Sequence, residues 1–330
     1  MKEHKIKFIK RMSLFLLILI ILILTINLIY TKFILERSIV YRQDQIYKEY
    51  ISSLPEKKLD FSFFGDSHTM VAVNPQYIPN SFNFGIGAEN YIITYYKLKR
   101  ILDEGVEINT IVLELDLHTF SGILTNEENL FSKLWFYSDF VSYNEIKEIR
   151  GGFIIGLWIE SNFPFLGKGD EFRFVIDKPE VVNISFGWVE NKKNFSEIEN
   201  KVELAKKECR SHFGEEERIS DISFEYFIKT IELAKKNDIN IIFIKYPITK
   251  EDDFVLTEKN ITKEDYYKTI FNEINKTLEN YYVLDYYNLY FDNPEYFGDS
   301  DHLNYNGAEV FSKSLYKDLN YLLMLPLYSD

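Results

Sequence analysis

Short apolar runs separated by longer amphipathic stretches set the rhythm of this chain. Leu59–Phe64, Ser81–Phe84, Thr110–Leu115, Asn240–Tyr246 and Tyr282–Asp285 are four to seven residues long. Runs of that length and apolarity read as buried parallel strands. Between them, Asn90–Glu104, Ile222–Asn237, Lys263–Asn280 and Asn306–Leu322 carry the spacing of helices with one apolar face. Alternating strand and helix predicts an α/β fold, a three-layer α/β/α arrangement around a parallel sheet. In such sheets ligands sit outside the carboxyl ends of the strands.

Two stretches break the rhythm. Met12–Tyr30 carries no charge, and its 19 residues match a hydrocarbon core of roughly 30 Å at about 1.5 Å per residue. Lys2, Lys5, Lys7, Lys10 and Arg11 precede it, against Glu3 alone. The expectation is a basic cytoplasmic tail at 1–11, an uncleaved single-pass anchor at 12–30 and a stalk at 31–56. The rest would then lie outside the cytoplasm. Asn27–Lys32 has no small-x-small pattern for signal cleavage. The second break is the region from about 120 to 220, with Trp135, Trp158 and Trp188, Gly151-Gly152 and Phe163-Pro164-Phe165. So long a stretch in a compact domain is not a bare loop. It is expected to be an inserted subdomain with an aromatic core beside the site, within a domain spanning 57–330. The Lys-, Glu- and Asn-rich segment Val189–Arg210 is expected to be a set of solvated helix faces.

Charge and cysteine narrow the field further. The net charge is −13, and −17 beyond residue 11, which argues against nucleic-acid partners. Cys209 is the single cysteine, so no internal disulfide can form and no cysteine metal site is available. The five histidines are scattered, with no helical spacing of ligand pairs; the sequence offers no metal site and no cofactor site.

The chemistry-bearing residues sit at the two ends of the predicted domain. Gly65-Asp66-Ser67-His68 follows the first strand directly, so a hydroxyl is carried on a tight turn. Gly298-Asp299-Ser300-Asp301-His302 precedes the last helix. A serine needs a base to take its proton, and that base needs an orienting partner. Ser67, His302 and Asp299 supply these three groups. Asp66 is expected to brace its turn and Asp301 to be solvated. Asn304, Asn306 and Gly307 read as the cap of the final helix.

In this order the two blocks resemble the SGNH/GDSL hydrolase superfamily, over about residues 59–322 apart from the central insert. The resemblance implies a flavodoxin-like sheet and a Ser67 nucleophile with Asp299 and His302. Asn83-Phe84-Gly85-Ile86-Gly87-Ala88 is similar to the family's second block, with Ala88 where the last glycine falls. Gly85, Gly87 and Ala88 would then border the oxyanion, backed by the Ser67 amide. The third block departs: Asp116-Leu117-His118 stands where the family has a Gly-x-Asn-Asp turn, so His118 becomes the candidate oxyanion donor. An Asp116–His118 dyad ranks below Asp299–His302. Membrane-anchored relatives of the alginate O-acetylation and lipoteichoic-acid D-alanylation type imply an extracytoplasmic acyl transfer, O-acetyl or similar. Its acceptor would be a glycan or wall polymer, its partner a multi-pass membrane acyltransferase. A water-using esterase and a catalytically silent anchored binding protein are the alternatives.

Overall fold

The computed structural model of the chain describes residues 2–34, 39–54, 56–125, 143–150, 183–214, 220–259 and 263–324, with residues 163, 165 and 261. Trp135, Trp158 and Gly151-Gly152 of the expected insert, and Pro55 at the expected stalk end, lie outside the described residues. The chain divides into two compact units, Met1–Arg42 with Leu134–Val181 and Gln43–Lys133 with Val182–Asp330.

In the first unit, helix α1 (Lys2–Phe33) runs without a break through the uncharged stretch. Its span Glu3–Phe33 has a mean hydropathy of 3.0 and is long and apolar enough to cross a membrane. Leu14, Phe15, Leu17, Ile18, Ile21 and Leu22 are all exposed on it, so the apolar surface runs around the whole helix.

Helix α2 (Ile39–Ser53) leads into the second unit, which is built on a five-stranded parallel sheet. Its strands are β1 (Lys58–Phe64), β2 (Ser81–Asn83), β3 (Glu107–Glu114), β6 (Asn240–Lys245) and β7 (Tyr282–Asp285). The two-residue strands β4 (Ile184–Ser185) and β5 (Trp188–Val189) pair with each other as a separate hairpin. The sheet order is β2-β1-β3-β6-β7, the doubly wound order whose switch point lies between β1 and β3. Helices α3 (Ser67–Ala72), α4 (Tyr91–Asp103), α5 (Lys201–Phe213), α6 (Asp221–Lys236), α7 (Lys250–Glu258), α8 (Lys263–Thr277) and α9 (Tyr305–Leu323) complete the unit.

Side chains two apart on a strand share a face, and the core follows that rule. Phe61 and Phe63 of β1, Val112 of β3, and Ile242 and Ile244 of β6 pack with Phe311, Leu315 and Leu319 of α9. Phe243, between two of these residues, points the other way and meets Phe227 of α6 at 5.8 Å between ring centroids. Helix α4 packs beside α6. Helices therefore cover both faces of the sheet.

Two segments add detail to the sequence reading. Helix α5 overlaps the stretch expected to be solvated helix faces; it exposes Glu203, Lys207 and Arg210 while one stripe, Ala205, Cys209 and Phe213, is buried with Val255 and Leu256 of α7. Trp188 is buried, and its indole N–H donates to the Val71 carbonyl at 2.7 Å. The β4–β5 hairpin thus fastens directly onto the end of α3. Gly187 is obligatory there: its φ is +85°, and a Cβ would fall 1.8 Å from the Asn83 carbonyl oxygen.

Candidate active site

Strand β1 ends at Phe64, and the chain turns at Gly65 because no larger residue fits. A Cβ at that position would meet Glu114 Oε2 at 2.1 Å and Thr69 Oγ1 at 2.2 Å. Asp66 caps α3, accepting from the His68 amide at 2.9 Å. Its own amide donates to Glu114 Oε2 at 2.9 Å, and the Thr69 hydroxyl donates to the same oxygen at 2.7 Å. Asp66 therefore braces the turn, and Ser67 opens the helix with its side chain half-buried.

The second block is folded into a closed loop. Phe297 and Leu303 form an antiparallel bridge, and the Gly298 amide donates to the His302 carbonyl at 2.8 Å. Asn304 accepts from the Gly307 amide at 3.0 Å and so caps α9 as its position predicts. Its amide group also donates to the carbonyls of Glu295 and Phe297. Cap and bridge together brace the loop in the conformation described.

That conformation brings three distant residues into line. His302 Nε2 lies 2.8 Å from Ser67 Oγ, and His302 Nδ1 lies 2.9 Å from Asp299 Oδ1. With the proton on Nδ1, the imidazole donates to Asp299 and keeps a lone pair for the Ser67 hydroxyl. Asp299 Oδ1 also accepts from the His302 amide at 2.9 Å, which fixes the carboxylate as well as the ring.

Asp301 corrects the sequence reading. It is buried, not solvated, and its Oδ1 stands 2.9 Å from His302 Nδ1. Two carboxylates therefore face the same imidazole nitrogen. Burial alone would lower the pKa of His302, but Asp299 and Asp301 reverse this and hold it well above the usual imidazole value.

The second-block residues close around the same turn. Asn83 donates to the carbonyls of Thr69 and Val73, both at 2.7 Å, and accepts from the Gly85 amide at 2.9 Å. The Ile86 amide donates to the Gly65 carbonyl. A Cβ on Gly85 would press the Met70 amide nitrogen at 2.7 Å, so this glycine permits the close approach, whereas one on Gly87 would meet open space. Ala88 has a φ of +54°, the left-handed conformation a glycine favours. Behind this loop Lys97 is fully buried. It donates to the Phe84 carbonyl at 2.6 Å and pairs with Glu89.

His118 is placed differently from the sequence expectation. It stands on a 3-10 turn (Leu117–Phe120) after β3, buried, with Nε2 at 2.6 Å from Asp66 Oδ2 and 3.5 Å from Glu114 Oε1. That nitrogen is taken by carboxylates and is not available to an oxyanion. Asp116 likewise pairs with His68, 2.9 Å from its Nδ1, and not with His118. Four of the five histidines, scattered in sequence, are gathered in space. The ring of His68 lies 4.4 Å from that of His118, 4.8 Å from His302 and 6.0 Å from His212. His212 stacks on His118 at 4.5 Å. Burial, then the neighbouring His118, hold His212 down at about 3. Sequence reasoning missed His68, His212 and Asp301 as members of this group. The one signal it held was the adjacency of His68 to Ser67 and of Asp301 to His302.

No protein-family model and no curated protein matches the chain. Solved structures resembling it include a protein from Bacteroides fragilis described as an acylhydrolase: 13% identity, TM-score 0.40, 84% of this chain and 96% of that one. A GDSL-like lipase from Bacteroides thetaiotaomicron is 11% identical with a TM-score of 0.40, over 87% of this chain and all of the other. A Streptococcus pneumonia protein described as a platelet activating factor gives 11% and 0.39, over 90% and 98%. Likeness at this level carries no chemistry over to this chain, whose reading rests on its own geometry.

Proposed function

We propose that the chain is a serine acyl-transfer enzyme of SGNH type, with Ser67 as nucleophile, His302 as its base and Asp299 as orienter. One observation carries the reading: three residues from opposite ends of the domain meet at 2.8 and 2.9 Å in the order hydroxyl, imidazole, carboxylate. In the first half-reaction His302 Nε2 takes the Ser67 proton as Oγ attacks an acyl carbonyl. The resulting tetrahedral oxyanion is held by backbone amides near Ser67 and Ala88. Collapse releases the donor alcohol, which takes the proton back from His302. An acceptor hydroxyl then repeats the steps in reverse and leaves with the acyl group.

The acceptor is proposed to be a hydroxyl of a cell-envelope or secreted glycan, and the acyl group acetyl or of similar size. The long apolar helix α1 with its basic flank supports a single-pass anchor, N-terminus inside and catalytic unit outside. A multi-pass membrane acyltransferase would supply the acyl group. Water in place of the glycan makes the same residues an esterase.

Full-length protein in detergent, treated with a fluorophosphonate probe, tests the nucleophile. Wild type is labelled and Ser67→Ala is not. Equal labelling of the two would overturn the assignment. Product analysis with an acetyl ester, with and without a glycan acceptor, then divides transferase from esterase.

A further inference from the structure

Behind Ser67 and His302 lies a buried histidine that the acyl-transfer steps do not use. His68 is 3% exposed and stands between two carboxylates. Its Nδ1 lies 2.9 Å from Asp116 Oδ2, and its Nε2 faces Asp301 Oδ2 at 3.5 Å. Asp116 is fixed from its other side, where Oδ1 accepts from the Tyr246 amide at 3.1 Å. Asp301, 2% exposed, turns its other oxygen to His302 Nδ1 at 2.9 Å. A line of side chains thus runs from Asp116 through His68, Asp301 and His302 to Ser67.

The contacts along this line decide where its proton sits. Asp116 is an acceptor, so His68 carries an N–H at Nδ1. With that proton alone, Nε2 would aim a lone pair at Asp301 Oδ2, and neither atom makes a hydrogen bond. Two buried acceptors face to face repel, so one of them holds a second proton. Asp301 faces ring nitrogens of His302 and His212, at 2.9 and 3.3 Å, and these favour its carboxylate. His68 faces carboxylates on both sides, which favours its cation and holds it well above the usual imidazole value against the effect of burial. The resulting contact is a charge pair longer than a hydrogen bond, and burial leaves it little screened. The other titratable groups around it do not supply the charge. His212 is held down at about 3 by burial and then by His118. His118 Nε2 is taken by Asp66 and Glu114. Burial pushes the carboxyls of Asp252 on α7 and Glu208 on α5 up.

We infer that His68 is a positioning residue, a buried imidazolium that keeps Asp301 ionised and aimed at His302 Nδ1, a role that rests on His302 being the base of the proposed reaction. A buried carboxylate with no cation beside it takes up a proton. While His302 is neutral, before attack, His68 is the cation beside Asp301. Once His302 has taken the Ser67 proton, Asp299 and Asp301 stabilise its imidazolium together.

Two measurements on full-length protein in detergent test this. The first is nitrogen NMR of the histidine rings in wild type and in Ser67→Ala, which does not need Ser67 to be a nucleophile. At about pH 8, where an ordinary imidazole is neutral, the His68 signal, assigned by its absence from His68→Gln, should show both ring nitrogens protonated. A neutral His68 would overturn the inference. The second follows fluorophosphonate labelling of Ser67 from about pH 5 to 10, where the acid limb reports His302. Labelling of Ser67→Ala would sink the proposed reaction and leave the NMR result to decide the state of His68. In His68→Gln, Asp301 gains a proton and His302 loses one of its two carboxylates. The acid limb should therefore move to lower pH by about one unit or more, equally in His68→Gln, Asp301→Asn and the double variant. If Asp301 kept its charge, loss of a cation whose ring is 4.8 Å from that of His302 would move the limb up instead. A limb that moves up, or stays in place while the rate falls at every pH, or shifts that add in the double variant, would overturn the inference.

Discussion

Two clusters of imidazole and carboxylate lie side by side in this protein, and they are built in opposite ways. In the front cluster Ser67, His302 and Asp299 are half-buried, and each is engaged by the next at ordinary hydrogen-bond distance. In the rear cluster His68, His118, Asp66, Glu114 and Asp301 are buried, and several of their polar atoms face a charged neighbour without making a hydrogen bond. The front set is joined by hydrogen bonds, whereas much of the rear set is joined by longer imidazole–carboxylate contacts, such as His68 Nε2 to Asp301 Oδ2 at 3.5 Å. The difference reflects how each is assembled. The front set comes from two short loops, each locked by its own hydrogen bonds. The rear set draws its residues from the turn opening α3, the end of β3, the 3-10 turn after it and the His302 loop.

Removing parts of the front cluster should give the largest effects. His302→Ala should slow probe labelling of Ser67 by about four orders of magnitude or more, while Asp299→Ala costs less. Because Asp301 Oδ1 also stands 2.9 Å from His302 Nδ1, the Asp299→Ala/Asp301→Asn double variant should approach His302→Ala. Labelling rates measured over time check the order. If Asp299→Ala equals His302→Ala, Asp301 gives no support.

Gly65 sharpens the comparison from the rear, because it is the point where the two clusters share backbone. Gly65→Ala forces a Cβ onto Glu114 and Thr69, and overpacking of this kind costs about 1–3 kcal/mol. The midpoint of urea denaturation should fall accordingly, and an unchanged midpoint would mean that the turn has room.

The front cluster was legible in the sequence and the rear was not, for physical reasons. A strand ending in Gly-Asp-Ser and a carboxylate three residues before a histidine are local patterns. They fix their own geometry, as Asn304 does by capping α9. The apolar runs at 59–64, 110–115 and 240–246 were legible for the same reason: burial on both faces leaves an unbroken apolar run. Helix α5 was hidden because only Ala205, Cys209 and Phe213, four residues apart, mark its buried stripe among lysines and glutamates. Asp301 looked solvated because sequence neighbours usually point apart. The Phe297–Leu303 bridge closes the loop and turns both carboxylates toward one imidazole. His68, His118 and His212 have no shared spacing, since three different elements carry them.

A pH-dependent effect comes from a buried pair outside both clusters. Burial, against the pull of Lys97, raises Glu89 to about 7. A carboxyl whose folded value is raised binds its proton more tightly in the native state. Its stabilisation is therefore full below its ordinary value near 4.5 and lost as the pH rises through about 7. Wild type should lose stability across that window relative to Glu89→Gln, and denaturation midpoints measured from pH 4.5 to 7 read the difference. Parallel curves would show that Glu89 titrates normally.

The central claim is that Ser67 Oγ carries the acyl group. Full-length protein can be mixed with an activated acetyl ester, quenched in acid, digested and read by tandem mass spectrometry. One acetyl group should appear on the peptide containing Ser67, at the serine itself, and should vanish in His302→Ala. An acetyl group on any other residue, or the same yield in Ser67→Ala, would contradict the account.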